Sequence, residues 1–336
     1  MDLDAIKSAL QEEESIDRWV HPLAKSYESL IAQLTSADSR FRLGIAAVDL
    51  LTRGFGPKEL VICSGFAHSS KTQLVLTGIL HNPDKRVLFF SLDDPAEMIL
   101  LKLCAMHHGV PGDEMERRIR QGDETAKALL LSTLSDYPNL LIVDDSLGER
   151  GMTQALKEAE AHWDGKSPQL VVLDYLELLA DSAGDETSVV EDVKAVAKKL
   201  KRWIKKRDFP LLVVHQNTRS RGAPGEPITM LSMAHGGEQE ATIVLGVRRK
   251  RDNEKYDAWE REAHKDTVTV HVVKNKRPPA KITPPDGVDL FIDPLTGMIR
   301  PLRESDYRPG LKLPEPTLVE TTAQALAQAQ ERMEEA

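Results

Sequence analysis

Six short apolar runs, ELVICSG, RVLFFSL, NLLIVDD, QLVVLDY, PLLVVHQ and TIVLGVR, recur along the chain from about residue 58, alternating with longer segments of helical pattern. Runs this apolar, rich in β-branched residues and without a polar alternate face, suit strands covered on both sides. Alternation with helices makes them βαβ units of a mostly parallel sheet. A seventh run, DTVTVHVVKN, alternates Thr with Val as a half-buried strand does, and VDLFID follows a Pro-rich turn. These two read as an antiparallel extension of the same sheet. The expected fold class is α/β, with a twisted, mostly parallel sheet and helices on both faces.

Three segments result. Residues 1–39 hold a helical pattern in which Pro22 sits in a first turn and Leu23, Tyr27, Leu30, Ile31 and Leu34 share a face. That face packs either on its own domain or on a neighbouring subunit, and periodicity favours neither. Residues 40–303 form the main domain. Residues 304–336, Pro-rich and then rich in Ala, Gln and Glu, read as a tail with a weak terminal helix. The acidic N-terminus lacks the basic start and apolar stretch of a secretory leader, and no apolar segment is long enough to span a bilayer, so a cytoplasmic protein is expected. Cys63 and Cys104 fall in apolar or helical patterns and read as core residues.

With a net charge of -9, the chain cannot coat nucleic acid through overall charge, so any such contact must be local. Basic clusters lie at Lys198 to Arg207, Arg248 to Arg251 and Lys274 to Arg277. Such runs ordinarily form solvated faces.

The first apolar run leads into Gly65-Phe66-Ala67-His68-Ser69-Ser70-Lys71-Thr72 and a helix beginning at Gln73. Strand, loop and helix in this order make a phosphate-binding loop. Backbone N–H groups and the helix N-terminus surround the phosphates, Lys71 supplies a point charge, and the Thr72 hydroxyl ligates magnesium. The usual pattern, G-x-x-x-x-G-K-(S/T), has glycine where Ser70 stands. A Cβ there crowds the phosphate or resists a conformation glycine takes freely. His68, with no second histidine at ligand spacing, reads as a loop hydrogen-bonding residue.

Asp93 and Asp94 follow the second run and Asp174 ends the fourth, all at the strand ends where open parallel sheets bind ligands. Asp174 suits a magnesium-holding acid, and Asp93 or Asp94 an acid that orients water or caps the next helix. Gln216 ends the fifth run as a γ-phosphate sensor. The segment from Asn217 to Gly237, with Arg219, Arg221, Gly222, Gly225, Gly236 and Gly237, reads as a mobile, ligand-facing loop.

Taken in order, RFRLGIAAVDLLTRGFGPKELVICSGFAHSSKTQ, VLFFSLDDPAEMILLKL, NLLIVDDS, LVVLDYLELL, LLVVHQNTR, GGEQEATIVLGVRR and VHVVKNKRPPAK resemble the helicase motifs of the DnaB family over roughly residues 40–295. The resemblance is to its shorter, phage-encoded members in particular, since the N-terminal domain of bacterial replicative helicases is missing from the pattern. It implies a RecA-like P-loop NTPase core and a hexameric ring with ATP sites between subunits. It also implies ATP and Mg2+ as cofactors, single-stranded DNA in the central channel, and a primase or helicase loader as further partners. By the same resemblance Asp93 matches the catalytic base, one methylene shorter than the family's glutamate. Lys274 and Lys276 match a Lys-x-Arg pair reaching the ATP of the adjacent subunit, with Arg277 an alternative if the strand end slips. Arg219, Arg221, Gly236 and Gly237 would contact DNA. Two other readings stand beside this one: a RecA- or RadA-like recombinase, and a slow-hydrolysing nucleotide-dependent DNA-binding module.

Overall fold

The structure, a computed structural model, describes residues 40–306 except 146–148, 175, 177–188, 218–221 and 234–236, together with Tyr27, Leu30, Ile31, Leu34 and Thr35. The chain divides into two units at Arg40. In the first, the five described residues are helical, and Tyr27, Leu30, Ile31 and Leu34 are all exposed. Leu23 lies outside the described residues, as do residues 307–336 of the expected tail.

The second unit is built on one nine-stranded sheet, ordered β3-β2-β4-β5-β1-β6-β7-β8-β9. Its strands are β1 (Leu60–Gly65), β2 (Val87–Ser91), β3 (Leu140–Val143), β4 (Leu170–Asp174), β5 (Leu211–Gln216), β6 (Ile243–Arg248), β7 (Thr267–Asn275), β8 (Val288–Ile292) and β9 (Ile299–Pro301). The first six pair in parallel and the last three are antiparallel. Each of the eight expected strands is present. β9, three residues long, is an addition.

Alternate residues explain why the runs are apolar throughout. Val61 and Cys63 of β1 enter one core, and Leu60 and Ile62 enter the other on the opposite face. Phe89 and Phe90 divide in the same way, as do Val172 and Leu173. The first core is closed by α1 (Ala46–Thr52), α2 (Lys71–Leu80) and α3 (Ala96–His108), the second by α6 (Glu149–His162) and α7 (Val189–Lys205). Helices α4 (Gly112–Arg120) and α5 (Glu124–Asp136) pack with α3 around Cys104, Met115 and Ala126. Asp123 caps α5 by accepting from the N–H groups of Thr125 and Ala126, and Gly109 ends α3 in the left-handed conformation. Two short helices, α8 (Gly237–Glu240) and α9 (Ala258–Ala263), flank β6, and Asp257 and Glu260 form a capping box on α9.

Cys63 and Cys104 are buried core residues, as expected. Three expectations are corrected. Arg248 and Arg249 are no solvated face but are buried at the end of β6, because the run continues a central strand into the body of the domain. The segment 222–233 is held in place. Ile228 and Met233 enter the core, Arg248 Nη1 donates to the Gly225 carbonyl at 2.9 Å, and Glu226 pairs with Lys255. Its Gly and Pro content suggested mobility, but two apolar anchors outweigh it. The ordered domain also extends past residue 303, since Asp306 accepts two hydrogen bonds from Arg300, at 2.6 and 2.8 Å. Among the described residues no helix is long and apolar enough to cross a membrane.

Candidate nucleotide site

The C-terminal ends of β1, β2, β4 and β5 lie side by side, so the chain segments leaving them meet at one edge of the sheet. Ser91 of β2 lies opposite Asp174 of β4, and Gly65 of β1 opposite Gln216 of β5. Gly65 opens the phosphate loop because nothing larger fits: a Cβ there would lie 2.3 Å from the Val247 carbonyl oxygen of β6. His68 and Ser70 both have positive φ, at 59° and 73°. Ser70 therefore adopts the left-handed conformation expected of the missing glycine, which costs an L-residue roughly 1–2 kcal/mol.

Lys71, buried at the start of α2, donates to the carbonyls of Phe66 at 2.8 Å and Gly65 at 3.1 Å. Thr72 donates its hydroxyl proton to Asp174 Oδ2 at 2.7 Å. Burial pushes the Asp174 carboxyl up to about 6, against the lowering effects of Thr72 and Lys71 and with a further rise from Asp94 and Asp93. A buried acid paired with a hydroxyl, beside one lysine, is a site that a divalent cation would relieve. The Ser69 hydroxyl oxygen is buried without a partner among the described residues, an orphan inside the loop that a bound anion's shell can satisfy. Thr72 and Asp174 could hold the cation. Residues 65–73 could hold the phosphates.

The two candidate acids beyond β2 separate. Asp94 pairs with Lys102 and accepts the Ser91 hydroxyl on its carbonyl, whereas Asp93 is exposed. Gln216 is exposed at the end of β5. The next residue, Asn217, is buried, donates its N–H to the Gly65 carbonyl at 3.0 Å and accepts the Ser64 hydroxyl. The residue after Gln216 is thus tied to Gly65. Sequence reasoning missed Arg249, whose Nη1 lies 3.3 Å from Ser70 Oγ. The available signal was its place just beyond the end of a central parallel strand.

Lys274 and Lys276 stand elsewhere. Asn275 is opposite Ile243 and Val61 is opposite Ile243, so this end of β7 lies level with the start of β1. Four residues of β1 separate it from Gly65, about 13 Å of strand. Lys274 donates to the carbonyls of Glu238 and Gln239, and Lys276 to that of Gln239. Burial, and then the charge of Lys276, push the Lys274 amine down to about 8. Arg277 does not join them. It pairs with Glu59 and donates to the carbonyls of Thr52 and Gly54, which fixes α1 to the start of β1. The slip that would free Arg277 for a neighbour's nucleotide is absent. Gly237 is likewise buried, packed near Ala197 and Ile62, rather than on a gripping surface. Arg219, Arg221 and Gly236 lie outside the described residues.

The model of the DnaB-like helicase C-terminal domain matches residues 41–283, most of the chain and all of it within the second unit. The chain belongs to the DnaB-like helicase family. Among its relatives are the replicative DNA helicase DnaB of Pasteurella multocida, 26% identical over 215 residues (61% of this chain, 45% of that protein), and a probable replicative DNA helicase of Trieres chinensis, 25% identical over 236 residues (67% and 49%). The chain spans about half the length of these relatives. Among solved structures, the ATPase domain of a phage helicase superposes with a TM-score of 0.68 at 18% identity, covering 84% of this chain and all of that one. A DnaB-like replicative helicase studied for its interactions with primase gives 0.67 at 18% identity, covering 89% and 71%. The DnaB-like unit described above accordingly has the RecA-like fold.

Proposed function

We propose that this chain is an ATP-hydrolysing DNA helicase motor acting in DNA replication, which binds Mg-ATP at the phosphate loop and moves along single-stranded DNA as a ring, a hexamer by family resemblance. The observation that carries this reading is the Lys71, Thr72 and Asp174 constellation at the sheet edge of a DnaB-like domain. Lys71 and the loop amides bind the phosphates, and Thr72 and Asp174 hold magnesium, which when bound neutralises charge on the transferring group. Asp93, exposed and clear of the Asp94–Lys102 pair, orients the attacking water. Gln216 reports the γ-phosphate to the segment that follows, and Arg219, Arg221 and Gly236 belong to the DNA-contacting region.

The placement of Lys274 and Lys276 at the far end of the sheet supports an oligomer, because from there they cannot reach the phosphate loop of their own chain. Their target is the nucleotide of the adjacent subunit. Primase or a helicase loader are partners by the same family resemblance. The test is steady-state ATP hydrolysis with and without single-stranded DNA, beside Lys71→Ala. Stimulation by DNA that Lys71→Ala abolishes supports the motor, and turnover unchanged in that variant removes the site assignment.

A second reading, a nucleotide-dependent DNA-binding module with slow turnover, is favoured by two observations: Ser70 sits in the left-handed conformation, and Arg277 is committed to Glu59. Negligible hydrolysis with DNA, alongside intact nucleotide-dependent DNA binding, would select it.

A further inference from the structure

Ser70 is the N-cap of α2, a position where a serine hydroxyl ordinarily accepts a backbone N–H of the first turn. Here it makes no such bond, because φ of 73° and ψ of 32° turn the side chain away from the helix. The hydroxyl faces Arg249 instead, with Nη1 at 3.3 Å, at the long end of hydrogen-bond range. Arg249 is 7% exposed and otherwise bound to backbone alone: Nε donates to the Thr267 carbonyl at 2.9 Å and Nη2 to that of Lys265. Two arms of the fork are clamped to the start of β7 and the turn before it, and the third is aimed at the loop.

Arg249 has no carboxylate hydrogen-bonded to it among the described residues; burial, and then the charge of Arg251, lower its pKa to about 10 against the raising effect of Asp252 and Asp266, so the guanidinium stays charged at neutral pH. A buried cation bonded to carbonyls and a hydroxyl with no acid in direct contact is costly to keep.

We propose that Arg249 is a positioning residue of the phosphate loop, holding Ser70 by its hydroxyl in the left-handed backbone conformation that glycine would take unaided. Serine at this position is then one half of a two-residue device. The Ser70 carbonyl accepts the Leu74 N–H at 3.1 Å, so fixing Ser70 also fixes where α2 begins and where the Ser70 and Lys71 amides face. This inference rests on the nucleotide reading of the loop.

The test is equilibrium binding of methylanthraniloyl-ATP with Mg2+ to the full chain and five variants. Ser70→Ala keeps the Cβ and loses the acceptor, and should bind about tenfold more weakly. Ser70→Gly should bind at least as tightly as the parent, since glycine needs no anchor. Arg249→Gln should bind about tenfold more weakly alone, yet return to near parental affinity when combined with Ser70→Gly. In hydrolysis assays the same losses should fall on KM rather than kcat. A merely structural arginine would not show that rescue.

Parental affinity in Ser70→Ala, or an Arg249→Gln defect unchanged by Ser70→Gly, overturns the proposal. If Arg249→Gln does not fold, the contrast between Ser70→Ala and Ser70→Gly decides alone. Binding by the parent that Lys71→Ala abolishes keeps the nucleotide reading intact whatever the serine series gives. No binding by the parent removes that reading and the proposal together.

Discussion

The two ends of the parallel sheet carry opposite kinds of incompleteness. At the C-terminal end, Lys71, Thr72, Asp174 and the loop amides converge within one chain, so the groups proposed to hold a phosphate and a cation are brought together. At the N-terminal end, Lys274 and Lys276 rest on the carbonyls of α8 with no acid bonded to either among the described residues, while Arg277 beside them is spent on Glu59 and the end of α1. One end gathers the groups of a candidate site within one chain. The other presents two lysines bonded to backbone carbonyls. A subunit boundary joining the two ends would bring both sets together, and Lys276 and Arg277, neighbours in sequence, make different contacts.

That contrast can be broken most directly at Lys71. Lys71→Ala should lower ATP turnover by roughly 1,000-fold, from the loss of phosphate binding and of charge stabilisation together. A smaller loss means that the C-terminal end is not the chemical site. Next, Lys276→Ala should lower turnover by roughly 100-fold while leaving nucleotide affinity within a few-fold of the parent. Subunits carrying Lys276→Ala mixed with subunits carrying Lys71→Ala should recover activity at the mixed boundaries. If mixing restores nothing, the two ends do not meet across subunits.

The pH dependence sharpens the comparison further. The Asp174 carboxyl is raised in the folded state to about 6, so the ligand-free protein is most stable, from this group, below the unfolded value near 3.8. That contribution is lost as pH rises through about 6, where the buried acid must ionise, and the expected loss is about 3 kcal/mol. Denaturant unfolding between pH 3 and 7.5 should show it, and Asp174→Asn should flatten it. Magnesium affinity should run the other way, falling as pH drops below about 6. Smallest in its effect on turnover is Arg277→Ala. It should cost about 3–5 kcal/mol of stability by leaving Glu59 unpaired in a nearly buried setting, yet change the hydrolysis rate of the folded fraction little.

The sheet was legible because burial on both faces writes itself into continuous apolar runs, and Gly65 to Thr72 was legible because its chemistry depends on local spacing. What escaped depended on tertiary placement. Only its place directly after β6 distinguishes Arg249, clamped beneath the phosphate loop, from Arg251, exposed two residues later. The stretch from Gly222 to Met233 resembled an open loop by composition, yet Ile228 and Met233 were enough to fasten it. The end of β7 was ambiguous in register. The pairing with β6 shifts between Val244 and Leu245, a bulge no propensity announces, and the Glu59 carboxylate that captures Arg277 lies far away in sequence.

The strand order also has a consequence for how the protein comes into being. β1, which delivers the phosphate loop, has neighbours only from the second half of the chain: Leu60 lies beside Leu211 and Val61 beside Ile243. During synthesis the loop emerges before β5 and β6, the two strands that flank β1 in the sheet. Non-local pairing of this kind closes slowly and leaves apolar strand edges open meanwhile. The candidate loop is translated before the strands that flank it.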